Sequence, residues 1–510
     1  MASHLPLLLL LLLSAMSTLC SAWNVSIDCG SSVPYVDFRS VQWTGDDSFF
    51  MPNGKSQEFQ VEHSYRELRS LRAFFSEKRS CYSINATEDE KVLVRATFYY
   101  GNYDNISQPP TFELQLDGNF WAAVETEIDK EVRHEAIYYV KGDAISVCVA
   151  QMKTGQFPFM SALEVRSLAT EMYAARADKN VALFLQHRIS FGIISAVRYP
   201  DDEYDRIWNP PNLLVDYTLV KREDDSIVVN SSDQPPKAVL LGVILHLTKF
   251  GFGRLPTVQV PIYMNMYFAA VDKEIEAYPP QKRSFLVFKD DLLLTSEPVV
   301  PYYNNVTELS FPNITASSAS WFYLVPASND NSTVTPTINA LELFLVSDPL
   351  TRTSSTDVEG LDALQGGFSI LREWKSDPCL PKKDAWDWLN CSADVSPRVI
   401  ALNLSGYGLS GPLPDFSSMD ALEYIDLQNN NLTGNVPEFL GLLPNLKELN
   451  LSGNNFNGSI PRSLLNKNIS FSWTGNKNLR ITSHGGKHRN TLQTISGALI
   501  SIFILSLVLI

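Results

Sequence analysis

The alternation of apolar and polar residues divides the chain into two unlike regions. From residue 23 to 346, short runs such as "TFELQLDG" and "AISVCVA" alternate with a period of two, and turn residues separate them. This pattern is typical of strands that bury one face, so it predicts an all-β region built of sandwiches. Two similar runs, "SALEVRSL" from Ser161 and "NALELFLV" from Asn339, each follow a series of strands. We therefore expect two tandem sandwiches, at residues 23–185 and 186–346.

A different pattern, with Leu at regular intervals, predicts a solenoid over residues 399–480. Three segments align at spacings of 23 and 24 residues: "LNLSGYGLSGPLP", "IDLQNNNLTGNVP" and "LNLSGNNFNGSIP". Alternate Leu residues of such a segment point inward and stack on the same positions of the next coil. Asn430 and Asn454 can hydrogen-bond backbone groups at the turn between coils, whereas the first coil has Tyr407 there.

The first of these segments also contains a G-x-G-x-x-G motif, the fingerprint of a dinucleotide-binding turn. Gly406, Gly408 and Gly411 form it, and Asp426 follows where a ribose-binding carboxylate would lie. Such a turn must open onto a helix, but Pro412 follows at once and prevents an ordinary one. Only the last glycine recurs in every coil. We therefore assign the glycines to repeat turns and expect no cofactor.

The residues before the solenoid predict a linker and a cap. Residues 347–357 are polar and rich in Ser and Thr, as in a linker. Within residues 358–398, Leu361, Leu364 and Phe368 recur at helical spacing. A cap is needed because the first coil would otherwise expose its apolar end.

The repeats resemble the plant extracellular leucine-rich repeat, LxxLxLxxNxLxGxIP. The preceding segment, "LREWKSDPCLPKKDAWDWLNC", resembles the N-terminal cap of such ectodomains, with a variant of their G-D-P-C motif in which Ser376 replaces the Gly. This resemblance implies a disulfide between Cys379 and Cys391.

Six blocks of the first region look like the malectin-like domain of plant cell-surface receptors. In chain order they are "IDCGSS", "CYSI", "LVRATFYYGNYDN", "FELQLDGNFW", "PFMSALEVRSL" and "RYPDDEYDRIW". The resemblance covers residues 26–346 and implies a pair of malectin β-sandwiches. The expected fold class is mainly β: two tandem malectin-like β-sandwiches followed by a short α/β leucine-rich-repeat solenoid. The sequence contains no kinase motifs, so we expect a receptor-like protein without the kinase.

The two ends have the composition of targeting segments. Residues 1–22 contain the apolar block Leu5–Leu13 and end in small residues, which predicts a cleaved signal peptide. Residues 495–510 are apolar, residues 481–494 form a polar spacer, and small residues begin at Ser483. This order predicts a GPI anchor attached at Ser483, with a minimal transmembrane tail or free secretion as alternatives. With either anchor, the folded part lies on the extracellular face of the plasma membrane.

Composition narrows the possible partners and the compartment. The net charge of -15 argues against nucleic acid, whose phosphates need a basic face. Five Cys remain after the signal peptide, and a secreted chain favours disulfides, but the pairing among Cys29, Cys81 and Cys148 stays open.

Sequons for N-glycosylation are frequent and support a glycosylated extracellular protein. Those at Asn403 and Asn450 lie inside strand-like runs and are poor candidates. The remaining predicted sites are Asn24, Asn85, Asn105, Asn230, Asn305, Asn313, Asn331, Asn390, Asn431, Asn457 and Asn468.

The sequence contains no recognised catalytic motif and no metal-ligand spacing. One acidic cluster could bind a cation, but Arg198 and Arg206 flank it and can pair with its carboxylates. We expect the cluster to fix the joint between the two sandwiches. Its members are Asp201, Asp202, Glu203 and Asp205.

The sharper candidate site is an aromatic loop. Tyr99, Tyr100 and Tyr103 surround a glycine, and Asp104 follows. Stacking rings beside a carboxylate are how a sandwich loop can bind a sugar. In the alternative, Tyr100 packs inward and Tyr103 orders the turn.

Together these features predict a non-enzymatic cell-surface receptor-like protein that acts as a co-receptor or wall tether. Its expected ligands are cell-wall carbohydrate or a secreted peptide, with a receptor kinase as partner. The alternative is a carbohydrate-active enzyme of the cell wall, which would need two carboxylates across a cleft.

Overall fold

The computed structural model describes residues 24–481, apart from 51–54, 76–78, 177, 213–217, 223, 225, 272–282, 328–333 and 375. The protein is mainly β, with 40% strand and 8% helix, as the sequence predicts. The predicted signal peptide, the attachment site at Ser483 and the apolar tail lie outside the described residues. Within the described ranges, no helix is long and apolar enough to span a bilayer.

One ten-stranded sheet runs through both halves of the first region. In spatial order its strands are β2 (Tyr35–Val36), β3 (Gln42–Gly45), β1 (Asn24–Asp28), β13 (Ala162–Ser167), β7 (Lys91–Tyr99), β10 (Glu131–Tyr139), β14 (Leu183–Ser190), β23 (Ala340–Val346), β18 (Val260–Phe268) and β21 (Thr307–Ala316). The halves join where β10 pairs antiparallel with β14, through Ala136 opposite Phe184 and Ile137 opposite Leu183. The predicted boundary between residues 185 and 186 falls inside β14.

Each half has its own four-stranded outer sheet, so each is a sandwich. The first sandwich uses β6 (Ser80–Asn85), β11 (Ala144–Gln151), β8 (Thr111–Leu116) and β9 (Asn119–Glu125). The second uses β17 (Lys249–Gly251), β22 (Trp321–Pro326), β19 (Phe285–Lys289) and β20 (Leu292–Leu293). Two smaller sheets are β12 (Phe159–Met160) with β5 (Ser70–Phe74) and β4 (Ser56–Gln60), and β15 (Leu219–Lys221) with β16 (Gly242–Ile244).

The inward residues of these strands form a separate core in each sandwich. Phe98, Leu114 and Val147 are among the buried residues of the first core, and Met264 and Phe322 among those of the second. Alternation places every second side chain on the same face, so the two sheets of a sandwich bury their apolar faces against each other. Short 3₁₀ turns lie at Arg66–Leu68, Lys237–Val239, Ser369–Glu373 and Lys382–Asp384.

The solenoid follows the cap helix α1 (Ser355–Gly367). Its inner sheet consists of β24 (Leu389–Cys391), β25 (Val399–Asn403), β27 (Tyr424–Asp426), β29 (Glu448–Asn450) and β31 (Ser470–Ser472). A second sheet consists of β26 (Ser410–Pro412), β28 (Asn431–Asn435), β30 (Asn455–Ser459) and β32 (Asn478–Arg480). The short helices α2 (Phe439–Leu442) and α3 (Arg462–Leu465) complete about four turns.

Asn side chains connect successive coils, as predicted for Asn430 and Asn454. Asn454 accepts a bond from the Leu432 N–H at 3.1 Å and donates to the carbonyls of Leu427 at 2.8 Å and Leu451 at 3.1 Å. Asn476 does the same in the fourth coil, which the three aligned segments did not include.

Tyr407 instead packs toward the cap, with its ring centroid 6.3 Å from that of Trp374. Gly411 has a φ of +96° and lies within the short strand β26 rather than at the start of a helix, so it belongs to the solenoid repeat. The first coil therefore ends in an aromatic contact, and its glycines serve the solenoid.

The described residues contain two disulfides. Cys379 is joined to Cys391, the pair that the cap resemblance implies, and Cys81 is joined to Cys148 across β6 and β11. Cys29 is a buried thiol.

Candidate functional site: the cleft between the first sandwich and the repeat cap

The predicted sugar loop directs its rings into the molecule. Tyr100 is fully buried and Tyr99 is 6% exposed. The ring of Tyr103 lies 4.7 Å from that of Phe59 and 5.5 Å from that of Phe159, measured between centroids. These contacts cover the ring faces that a stacked sugar would need.

Asp104 accepts hydrogen bonds from two groups of the same loop. Its Oδ1 accepts bonds from the Tyr100 hydroxyl at 2.5 Å and from the Ile106 N–H at 3.1 Å. Burial and this bond together raise the pKa of Tyr100 to about 12. The arrangement matches the alternative in which Tyr100 packs inward and the loop orders itself. Sugar binding by Tyr99, Tyr100, Tyr103 and Asp104 stays a prediction, and it would require this packing to open.

The acidic cluster joins the two sandwiches through arginines. Asp205, beyond β14, accepts bonds from Arg198 Nε and from Arg166 Nη2 of the first sandwich, both at 2.8 Å. Although burial opposes ionisation, Arg95 and Arg198 hold the pKa of Asp205 below its usual range. Arg206 Nε pairs with Asp202 Oδ2 at 2.9 Å, and both side chains are fully buried.

Arg188 on β14 extends this network across the joint. It lies 2.6 Å from a carboxylate oxygen of Glu135 on β10 and 2.6 Å from one of Glu342 on β23. The predicted pairing of Asp202 and Asp205 with arginines is thus confirmed. In the part of the chain that the structure describes, no group of His, Cys, Asp and Glu side chains could hold a metal ion.

The linker and the cap are held against the first sandwich by polar contacts between residues far apart in sequence. Asn119, at the start of β9, donates to the Thr351 carbonyl at 2.9 Å and accepts from the Thr351 N–H at 3.0 Å. Arg79 donates to the carbonyls of Asp377 at 2.7 Å and of Leu380. Lys383 pairs with Glu113 of β8 at 2.7 Å.

Asp377 of the S-D-P-C motif organises the cap side of this contact. Its Oδ1 accepts bonds from the Cys379 N–H at 3.0 Å and the Leu380 N–H at 2.9 Å, and its Oδ2 from the Thr353 N–H at 2.8 Å. Gly118, with a φ of +75°, packs directly against the motif, because a Cβ there would lie 2.9 Å from the Leu380 Cβ. Sequence reasoning missed these roles, although the turn "LDGNF" and the motif itself were visible signals.

This contact borders a cleft of about 640 Å³. One wall belongs to the first sandwich and the other to the linker and α1. The cleft is lined by more carboxylates than cations, with Trp374 and Trp386 on the cap side. The lining carboxylates are Glu88, Asp117, Asp143, Glu359, Asp362 and Asp377, and the cations are Lys141 and Arg352.

Asp117 is held among these acids by two hydrogen bonds. Its Oδ1 accepts a bond from the Ser146 N–H at 2.7 Å and its Oδ2 from the Tyr138 hydroxyl at 3.0 Å. Burial, reinforced by the nearby charge of Asp377, raises the pKa of Asp117 to about 6. The cleft can therefore change charge in the mildly acidic range.

The sequon residues lie mostly at the surface. Asn85 lines the cleft and is exposed, and Asn305 is half-buried. Asn331 lies outside the described residues. The other predicted sites are exposed, and so is Asn403 on the inner sheet of the solenoid.

Family comparisons match the two regions separately. A model described as the malectin-like domain matches residues 27–346, and one described as leucine-rich repeats (2 copies) matches residues 420–466. A probable LRR receptor-like serine/threonine-protein kinase of Arabidopsis thaliana, At1g67720, is 32% identical over 462 residues, which are 86% of this chain and 49% of the relative. The chain thus spans about half the length of that kinase. An uncharacterized protein, At1g24485 of the same plant, is 33% identical over 346 residues, covering 67% of this chain and 68% of that one.

Solved structures share the fold at low sequence identity. The ANX2 ectodomain from Arabidopsis thaliana aligns with a TM-score of 0.52 at 12% identity, over 64% of this chain and 97% of that one. A chain from the complex of the plant peptide RALF23 with FER and LLG2 aligns with a TM-score of 0.51 at 13% identity, over 64% and 95%.

Proposed function

The chain belongs to the malectin-like family and carries leucine-rich repeats, and on this premise we propose that it is a non-catalytic receptor-like protein that binds a secreted peptide in the cleft beside its repeat cap. The family supplies the receptor-like binding role. The identity of the ligand and the place where it binds are our proposal.

The single observation that carries the proposal is the cleft itself. Its volume of about 640 Å³ falls within the ~300–1,000 Å³ of sites that enclose small ligands or a few peptide residues. Asn119, Arg79 and Lys383 hold its walls at a fixed spacing through contacts between sandwich and cap. A preformed site of this kind binds without first having to order its walls.

Two further considerations support a peptide over a sugar. The aromatic loop covers its own rings, so the ring stacking expected for a sugar is not offered there. One structural neighbour was solved with a peptide and a second protein. We extend that mode of assembly to this chain, outside the plasma membrane and beside a receptor kinase that would supply the catalytic activity.

The test compares a variant that fills the cleft with a matched variant elsewhere. Ser83→Trp adds bulk at an exposed lining position, and Ser410→Trp adds the same bulk at an exposed position of the solenoid. The full chain, purified from a secretory host, is screened by biolayer interferometry against synthetic secreted-type peptides and against cell-wall oligosaccharides.

We expect peptide binding that weakens at least about tenfold, or ~1.4 kcal/mol, in Ser83→Trp and is unchanged in Ser410→Trp. Peptides that bind both variants equally, or binding only to oligosaccharides, would contradict the proposal.

A further inference from the structure

The two sandwiches are built on one plan, strand for strand. Their outer sheets have the same order, β6-β11-β8-β9 in the first and β17-β22-β19-β20 in the second. The run "FELQLDGN" of β8 corresponds to "FLVFKDDL" of β19. Both runs end in a turn at an Asp with positive φ, +47° at Asp117 and +50° at Asp290.

The pairing register makes this correspondence specific to single residues. Gln115 lies opposite Cys148 in the first sheet, as Phe288 lies opposite Tyr323 in the second. By the same register, Glu113 corresponds to Leu286. Equivalent positions can therefore be compared directly on the outward face of each sheet.

The outward face of the first sheet is polar at Glu113 and Gln115, and the cap covers it there. Glu113 there pairs with Lys383 at 2.7 Å, and Gln115 donates to Asp384 at 3.4 Å. Both residues are buried by this contact, at 8% and 0% exposure. The chain itself thus supplies the cover for this part of the face.

The outward face of the second sheet is apolar and open. Trp321, Val325 and Leu293 are 44%, 41% and 45% exposed, while Phe322 and Leu324 between them on β22 point into the core. Outward positions of a sheet that faces water are normally polar, and contiguous exposed apolar patches mark interaction sites. We call this surface the Trp321 face. Its apolar members are Leu286, Phe288, Leu293, Trp321, Tyr323 and Val325.

Trp321 is held in a defined position on this face. A Cβ at Gly251 of β17 would lie 3.2 Å from the Trp321 Cε3, so the ring rests on a position without a side chain. Lys249 Nζ lies 4.1 Å from the centroid of the same ring. A ring fixed in this way is ordered before any partner arrives, which lowers the entropy cost of association.

We propose that the Trp321 face binds the same face of a second copy of this chain. Two apolar sheet faces can pack on each other about a two-fold axis. Lys249 at one edge of the face can then approach the β19–β20 turn of the other copy, where Asp290 and Asp291 carry the opposite charge. The chain has a net charge of -15, so copies repel over most of their surface, and a face with few charges is where they can approach. None of the four strands contains a sequon.

The size of the face sets the strength of this contact. The four strands have 16 residues together, and at ~3.3 Å per residue and ~4.8 Å between strands they cover roughly 250 Å², well under the ~800 Å² per partner of a standard stable interface. The dimer is therefore weak and reversible, and it forms where copies are concentrated.

The test uses sedimentation equilibrium on the full chain as a secretory host processes it, from about 10 µM to about 1 mM, the range in which a contact of this size would populate. The test variant is the double substitution Phe288→Ser and Trp321→Ser. The matched control is Phe120→Ser, which removes a 59% exposed ring from the corresponding sheet of the first sandwich. Thermal melting checks that all three chains are folded.

We expect reversible dimers in the wild type and in Phe120→Ser, and at least a tenfold weaker association in the double variant. A wild-type chain that stays monomeric at every concentration would overturn the proposal. So would dimers that survive the double substitution. Tryptophan quenching by an added peptide or oligosaccharide that the double variant does not show, while the chain stays monomeric, would assign the face to another occupant.

Discussion

Replacing Gly118 by Ala tests whether the contact between the first sandwich and the cap constrains the molecule. The change is a single methyl group at the turn between β8 and β9. Gly118 has a φ of +75°, and the new Cβ would lie 2.9 Å from both the Cβ and the carbonyl oxygen of Leu380. The substitution therefore strains the backbone and displaces the cap at once.

The two costs can be estimated separately. A non-glycine residue in the left-handed region costs about 1–2 kcal/mol. Forcing a methyl group into a filled space costs about 1–3 kcal/mol more, because Leu380 must move with its backbone. Gly155→Ala isolates the first cost, since Gly155 has a φ of +82° and its added Cβ meets no atom within 4 Å.

Hydrogen exchange measures the consequence where it occurs. The N–H groups of Leu380 and Thr351 are bonded to Asp377 and Asn119 across this region. We expect their protection to fall in Gly118→Ala by roughly five- to 150-fold, the equivalent of the ~1–3 kcal/mol steric cost, and to stay near wild type in Gly155→Ala. Equal exchange of these amides in the two variants would show that the cap does not depend on close contact with Gly118, and the fixed cleft would lose its basis.

Three further predictions concern the solenoid, the joint and the cleft. Asn454→Ala leaves the buried Leu432 N–H without its side-chain partner, while the carbonyls of Leu427 and Leu451 keep bonds from Asn430 and Asn476. Urea unfolding of the solenoid should therefore show a loss of about 1–3 kcal/mol, against almost none for the exposed Asn455→Ala, and similar values for both would contradict the ladder. Arg206→Met leaves the buried Asp202 without its counterion. We expect urea unfolding of the sandwiches to show a loss of about 3–5 kcal/mol in the free energy of unfolding, and the exposed Arg462→Met to show no such loss. A loss under ~1 kcal/mol in Arg206→Met would count against the network. The folded-state pKa of Asp117 is raised to about 6 from an ordinary value of 3.8, so folding takes up a proton between these two pH values. The contribution of Asp117 to stability is therefore largest below pH 3.8 and is lost as the pH rises through 6. Asp117→Asn should flatten that part of the pH profile of urea stability, whose slope is at most about 1.4 kcal/mol per pH unit, and an unchanged profile would refute the assignment.

The features that the sequence predicts well are those with a local rule. Asn454 recurs at a fixed place in a repeat, so its bonds to neighbouring backbone follow from the pattern. Arg206 and Asp202 are four residues apart in an acidic stretch that contains its own counterions, so their pairing also follows from the local sequence.

The features that the sequence does not predict depend on which way a side chain points and on contacts between residues far apart in the chain. Tyr100 has the residue type of a sugar-binding ring, but only the three-dimensional fold shows that Phe159 and Tyr103 cover it. The run "WFYLV" of β22 is apolar at every position, so no period distinguishes its inward side from its outward side. The cleft arises from contacts such as that of Asn119 with Thr351, 232 residues apart, which no local pattern encodes.

The pairing of β10 with β14 makes the two sandwiches one structural unit. Cutting the chain between them would expose Ala136 and Ile137 on an unpaired strand edge and leave Arg188 without Glu135. Neither half could therefore be removed without leaving an exposed strand edge and a buried unpaired charge in the other. Substitutions in the loops and on the outward faces leave this shared sheet intact.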